Sequence, residues 1–136
     1  MTTRMDLVTL IVDDYDHAAR FLTAGLGFVI ETDEPSLTND GRPKRWVVAR
    51  PAGGGTGLLL ARADGPEQIA AIGRQFAGRV GLFLQVPDVD AAVARAVAAG
   101  ADVVRPRRDE AYGSVVVIAD PWGNKWDLIE LGPPSP

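Results

Sequence analysis

The sequence contains no cysteine and only one histidine, His17. The lack of thiols excludes disulfides, zinc–thiolate sites, iron–sulfur clusters and cysteine nucleophiles. One histidine is also too few for a non-haem iron site built from two imidazoles and a carboxylate. Because His17 falls in the first turn of a predicted helix, we expect an ordinary exposed helical residue at this position.

Basic charge and long apolar runs are scarce as well. The 136 residues carry a formal net charge of −4, which argues against non-specific binding to nucleic acid. No run of about 18 apolar residues indicates a membrane span, and the first ten residues do not resemble a signal peptide. We therefore expect a cytoplasmic protein without a nucleic-acid or membrane partner. A hydrophobic fraction of 46% suits one globular domain over residues 1–136.

An internal repeat is the most informative feature of the sequence. The segment LVTLIVDDYD at Leu7 resembles GLFLQVPDVD at Gly81, and in each an aspartate, Asp14 or Asp88, is placed to cap a helix. Each helix leads to a glycine and a short strand, and two further strands follow. The order β-α-β-β-β thus occurs twice, over about 5–62 and about 78–131. A helix over about 66–76 links the two modules, which must pair because one alone would bury little.

Three segments are predicted as turns or loops. Residues 31–44 are polar, contain proline and hold an Asp40-Gly41 turn. Residues 51–55 (PAGGG) form a hairpin turn, since a phosphate-binding loop would need a lysine and a following helix. Arg107 and Arg108 beside two acids predict a solvated, self-neutralising loop. With Arg45 and Arg79, these two arginines are also candidates to meet an anionic ligand.

Two motifs carry a family resemblance. The pattern A-x-x-F-x-x-x-x-L-G-F over 18–28 and D-P-x-G-N over 120–124 resemble the glyoxalase/bleomycin-resistance (vicinal oxygen chelate) family, and the likeness extends over nearly the whole chain. Further short matches resemble a bacterial glyoxalase-like subgroup without a secure reaction. The resemblance implies an α+β fold of two βαβββ modules, which pair to form a curved mixed sheet around a cleft. It also implies a homodimer.

The family's metal ligands are mostly missing. Its enzymes bind a divalent metal through side chains from four strands, and these positions fall on Leu7, Gly81, a site near Gly57, and Asp127. Leucine and glycine side chains have no lone pair to donate, and one carboxylate is too few for a metal site. We therefore predict no bound metal and no cofactor.

Strand alternation suggests what lines the cleft instead. If the ligand positions face the cleft, so do Thr9, Phe83 and Gln85, while an apolar set that includes Leu10 and Trp126 packs under the helices. A few polar groups on an apolar floor suit a small organic ligand. In the alternative interpretation, Asp127 pairs with Lys125 or a nearby arginine and binds nothing. A large residue at Gly81 should fill the cleft with little damage to the core.

Three aromatic residues are candidates for the rim of the cleft: Trp46, Tyr112 and Trp122. Their rings offer flat contact area to a planar or cationic ligand. Core packing or a dimer interface would also explain them, Trp46 on its strand above all. Trp122, in the D-P-W-G-N turn, is expected to be exposed.

These features favour a metal-independent protein that sequesters or senses a small organic molecule. A metal-free isomerase or lyase is the alternative, with Asp127 as general base and Tyr112 as acid. Two further functions remain open. One is a metal-dependent lyase with a rebuilt oxygen-ligand site, and the other is a structural or regulatory role. Binding is preferred over catalysis because a general base also needs a group that stabilises the resulting carbanion, and the sequence shows none.

Overall fold

The computed structural model describes residues 1–132, which fall into two compact units. The first spans Met1–Ile72 and the second begins at Gly73. Each unit has one four-stranded mixed sheet with a helix packed on it, so the α+β class is confirmed. Apart from Gly132, the tail over 132–136 that we expected to fray lies outside the described residues.

The first unit consists of the following elements: β1 (Leu7–Val12), α1 (Tyr15–Arg20) with a π-helical continuation (Phe21–Gly25), β2 (Phe28–Leu37), β3 (Pro43–Pro51), β4 (Gly57–Arg62) and α2 (Pro66–Ala71). The sheet order is β1-β4-β3-β2, in which β1 runs parallel to β4 and the other neighbours are antiparallel.

The second unit repeats this plan with the elements β5 (Val80–Gln85), α3 (Val89–Ala98), β6 (Asp102–Glu110), β7 (Gly113–Ala119) and β8 (Lys125–Leu131). Its sheet order is β5-β8-β7-β6, and β5 runs parallel to β8. The predicted βαβββ order is therefore confirmed, and the two units also share one sheet topology.

The same local chemistry begins the helix of each repeat. An Asp14 carboxylate oxygen accepts a hydrogen bond from the backbone N–H of His17 at 3.0 Å, and Asp88 does the same for Ala91 at 3.0 Å. Both aspartates have extended backbones, as an N-cap requires. The two helices therefore begin where the repeated aspartates predicted.

Alternate strand residues form the core under each helix. In the first unit the buried residues of the sheet include Leu10, Val12, Val47, Leu58 and Leu60; in the second they include Val116, Ile118, Trp126 and Leu128. Leu82 and Leu84, on the edge strand β5, are only half-buried, and Val8 is exposed. Burial of the helix-facing residues is thus complete on the inner strand β8 and at Leu10 and Val12 of the edge strand β1, but incomplete on β5.

The loop predicted over 31–44 is wrong for its first half, where β2 extends to Leu37. This strand lies at the edge of its sheet, where polar residues and a proline are tolerated. Ion pairs across to β3 hold it, since Arg45 binds Asp33 at 2.7 Å and Arg50 binds Glu31 at 2.9 Å. The turn itself is confined to the residues between Leu37 and Pro43.

The loop predicted around Arg107 and Arg108 is also wrong, because both lie in the edge strand β6. Register irregularities flank Arg105, so the strand departs from an even pattern there. The predicted self-neutralisation does occur: Arg107 binds Asp109 at 3.0 Å, and Arg108 lies 3.9 Å from Glu110.

The helix predicted over 66–76 ends at Ala71, five residues early. Gly73 adopts a positive φ of 72°, which interrupts a right-handed helix, and turns follow up to Gly78. No helix within residues 1–132 is long and apolar enough to cross a bilayer.

Candidate functional site

The face of the second sheet opposite α3 brings together three of the predicted ligand-binding residues. Phe83 and Asp127 are register partners on β5 and β8, and Gln85 lies two residues further along β5, beside Ile129. Partners in register point to the same face of a sheet. The Phe83 side chain is 66% exposed, which is unusual for an aromatic ring at the middle of a strand.

The floor of this face continues onto β7. Val117 is the register partner of Asp127, and Val115 is the partner of Ile129; both valines are buried. On the opposite face, Glu130 accepts a hydrogen bond from the backbone N–H of Val89, the first residue of α3. The two faces therefore differ: one holds α3, and the other has exposed Phe83 and Gln85 and half-buried Asp127 and Ile129 beside the two buried valines. We call the latter, lined by Phe83, Gln85, Val115, Val117, Asp127 and Ile129, the open face.

Asp127 has a carboxylate oxygen, Oδ1, that is buried and has no hydrogen-bond partner among the described residues. The Lys125 ammonium, offered as a partner by the alternative interpretation, instead donates to the carbonyl of Gly78 at 3.1 Å. A buried acceptor without a donor is costly in free energy, so such an atom in a native protein calls for an explanation.

Phe76 covers the position where the family places the first-strand ligand of the second module. A Cβ atom added to Gly81 would lie 2.1 Å from Cγ of the Phe76 ring. The expectation that a large residue at Gly81 would be accommodated is therefore wrong, because the space is already filled. The sequence did not reveal this contact, since it depends on the turns that follow α2.

The corresponding position in the first module is apolar too. Leu7 is half-buried, and a Cβ atom at its register partner Gly57 would lie 3.2 Å from the Leu7 side chain and 3.0 Å from the Ala49 carbonyl oxygen. Among residues 1–132 no three His, Asp or Glu side chains form a group that could hold a metal ion.

Tyr112 and Trp122 lie at opposite ends of the second sheet. Tyr112 precedes Gly113, whose register partner is Leu131, four residues beyond Asp127 and on the order of 13 Å along the strand. Trp122 lies just before β8 begins, half-buried rather than exposed, with its carbonyl against Gly73. The structure therefore does not bring Tyr112 beside Asp127 as an acid for a base.

The D-P-W-G-N turn is organised around the buried carboxylate of Asp120. It accepts hydrogen bonds from the backbone N–H groups of residues 122, 123 and 124 at 2.9–3.1 Å. The Asn124 amide and the Trp126 indole N–H add two more, both at 3.1 Å. Burial raises the pKa of Asp120, although these donors oppose the shift. The motif thus has a structural role here, which the sequence analysis did not assign.

The remaining candidates lie in the first unit. Thr9 is exposed on β1, and Trp46, 41% exposed on β3, borders a cavity of about 420 Å³ that also includes Tyr15 and Arg45. The Arg45 guanidinium binds Asp16 at 2.9 Å as well as Asp33, and its hydrogen bond lowers the pKa of Asp33. Arg45 is therefore already committed to acids and is a poor candidate for an anionic ligand.

His17 is a half-buried residue of α1 with its Nδ1 atom 3.7 Å from Asp13. This contact joins two neighbours on one turn of chain and involves no strand residue. His17 belongs to the first unit, whereas the open face belongs to the second.

Comparison with known proteins identifies the family. The model of the Glyoxalase/Bleomycin resistance protein/Dioxygenase superfamily matches residues 4–128. The chain belongs to this superfamily. An uncharacterized protein of Shewanella frigidimarina (strain NCIMB 400) is 42% identical over 130 residues, which cover 95% of this chain and 94% of that protein.

Solved structures of the superfamily share the fold. The crystal structure of TnmS3, an antibiotic binding protein from Streptomyces sp. CB03234, matches with a TM-score of 0.71 and 27% identity, over 97% of this chain and 98% of that one. A glyoxalase family protein from Bacillus cereus matches with a TM-score of 0.77, over 97% of each chain. At 21% identity, that second likeness concerns the fold alone.

Proposed function

We propose that this protein binds a small organic molecule on the open face of the second sheet, without a metal ion, and so sequesters or senses it. The observation that carries the proposal is the buried, unpartnered Oδ1 of Asp127 beside the exposed ring of Phe83. A ligand that donates a hydrogen bond to this oxygen would remove the free-energy cost of leaving it unpaired.

Two further observations support the proposal, the first its independence of a metal and the second the binding of a small molecule. Phe76 fills the space over Gly81. The position from which the family's enzymes coordinate a metal is therefore covered by an aromatic ring. TnmS3, which shares 27% of its residues with this chain, is an antibiotic binding protein. Capture of a small molecule is thus a function already present among similar members of the superfamily.

The metal-free isomerase or lyase is the weaker proposal. It requires a proton donor near Asp127, and Tyr112 lies at the far end of β8. Binding requires only the shape and the polar groups that the face already has.

Ligand-observed fluorine NMR with a library of fluorinated aromatic amines, acids and neutral fragments tests the proposal. We expect a subset to bind to the chelator-treated protein and to lose affinity in Asp127→Asn, which keeps the shape and removes the charge. Asp90→Asn, an exposed change on α3 at the opposite face of the sheet, is the matched control and should leave binding intact. Fragments that bind only after a divalent metal is added would overturn metal independence, and binding unaffected by Asp127→Asn would overturn the site.

A further inference from the structure

A second buried polar atom without a partner lies on the sheet that carries Asp127. It is Nε of Arg108, on the edge strand β6. Like the Asp127 oxygen, this N–H group has no hydrogen-bond partner among the described residues. An unpaired buried donor is as costly as an unpaired acceptor, so both atoms require explanation.

Strand register places Arg108 on the open face. Its register partner on β7 is Val115, and the partner of Val115 on β8 is Ile129. The neighbouring Arg107 and Asp109 contact Ser114, whose register partner Glu130 caps α3 on the opposite face. Successive side chains alternate between faces, so Arg108 points away from the helix.

The two unpaired atoms therefore border one apolar strip. The Cα atoms of Asp127 and Arg108 are two strands apart across the sheet, about 10 Å, and two residues apart along the strands, about 7 Å. Their side chains can shorten this separation. Between them lie the buried side chains of Val115 and Val117. The arrangement is an acceptor and a charged donor on either side of two buried valines, with the half-buried Ile129 beside Val115.

The other end of the Arg108 side chain is only loosely held. Its nearest acid is Glu110, at 3.9 Å from Nη1, which is at the limit of an ion pair and is too long for a hydrogen bond. By contrast, Arg107 on the same strand makes ion pairs at 2.6 Å and 3.0 Å. Arg108 thus has guanidinium donors that a ligand could engage, whereas those of Arg107 are held in ion pairs.

We propose that Arg108 and Asp127 jointly select an amphoteric ligand, a small molecule with an anionic or strongly accepting group at one end and an amine or hydroxyl donor at the other. The Arg108 guanidinium receives the acceptor and Asp127 receives the donor, while the apolar middle of the molecule lies against the half-buried side chain of Ile129. This inference rests on the proposed function and specifies its ligand class.

Titration with three related probes tests the inference: 4-(aminomethyl)benzoate, which carries both groups, benzoate and benzylamine. Binding is followed through the ¹H–¹⁵N signal of the Arg108 side-chain Nε–H and through the dissociation constants. We expect the amphoteric probe to bind about tenfold or more tightly than either half, because it makes a hydrogen bond to a charged group at each end instead of at one. It should also shift the Arg108 signal.

Two conservative variants and one control complete the test. Arg108→Lys and Asp127→Asn should each reduce the affinity for the amphoteric probe to that of the remaining half probe. Arg95→Lys, an exposed change on α3 at the opposite face of the sheet, should have no effect. If Arg108→Lys alters the free energy of unfolding but not probe affinity, the arginine is structural and the inference is overturned.

The outcomes separate this inference from the proposed function. If benzylamine binds in an Asp127-dependent manner and the amphoteric probe binds no better, the ligand class is wrong and the binding function stands. Both proposals are overturned if three results coincide: no probe shifts the Arg108 signal, Asp127→Asn changes no dissociation constant, and no member of the fluorinated library binds.

Discussion

The ring of Phe76 lies directly over Gly81, so close that a Cβ atom on this glycine would be 2.1 Å from the ring carbon Cγ. The contact explains why a strand residue at a ligand position of the family is a glycine. Any side chain here must displace an aromatic ring that follows the turns after α2. The loss of the ligand and the packing of Phe76 are therefore one structural feature.

Gly81→Val should destabilise the protein by about 1–3 kcal/mol, the usual cost of overpacking. Phe76→Ala removes the obstacle, so the double variant should be more stable than the sum of the two single effects predicts. Urea unfolding of all four proteins measures this coupling. Strict additivity would show that the ring and the glycine do not meet in solution.

Gly73 forms a second contact that only glycine permits. Its Cβ would lie 1.7 Å from the carbonyl oxygen of Trp122, and its φ is 72°. Gly73→Ala should therefore lower the free energy of unfolding by more than the roughly 1 kcal/mol of an ordinary helix-interior or loop glycine change. Gly53→Ala, in open space and without a positive φ, is the matched control and should be close to neutral. Equal effects of the two variants would contradict the contact.

The sequence predicted the features that depend on local chemistry. The aspartates of the two caps, the order of the strands and the alternation on the inner strands all follow from residues close together in the chain. The strands β2 and β6 were missed in part because edge strands tolerate charge and proline, which otherwise indicate loops.

The site could be predicted only in part, for a physical reason. Asp127 and Phe83 follow from alternation and from the resemblance, and they are register partners. Arg108 was a candidate for an anionic ligand, but the face that it occupies could not be predicted, because irregular pairing around Arg105 sets it. Whether a polar atom is buried without a partner is a property of the packed sheet, and no spacing in the sequence encodes it.

The purified protein should carry no stoichiometric transition metal. The ligand positions implied by the family hold Leu7, Gly81 and a single carboxylate, and Gly81 is covered by Phe76. Elemental analysis after dialysis measures the content of zinc, nickel, manganese and iron. A stoichiometric metal that is lost in Asp127→Asn would contradict both the prediction and metal-independent binding.

We expect the protein to form a homodimer. Each sheet has two edge strands, which have unpaired backbone groups, and large apolar side chains such as Phe83 and Leu131 are exposed. Light scattering coupled to size exclusion should give twice the mass of the chain at low micromolar concentration. A monomer under these conditions would show that the exposed residues are covered by something else or not at all.

Asp120 should make stability depend on pH in a way that its amide variant does not. Burial raises its pKa, so the folded state holds the proton over a pH range in which the unfolded state has lost it. Stability from this group is full below the ordinary aspartate value of about 3.9 and declines as pH rises through the folded pKa.

Asp120→Asn removes the titration and also presents an NH₂ group to donors such as the Trp126 indole N–H. Leaving buried donors unpaired should cost about 1–3 kcal/mol. Because the wild-type protein gains stability from this group only at low pH, the loss on substitution should be larger near the ordinary aspartate pKa than at neutral pH. Urea unfolding of both proteins across this range measures the difference. A loss that is independent of pH, or larger at neutral pH, would show that the five donors outweigh burial and that Asp120 is held ionised.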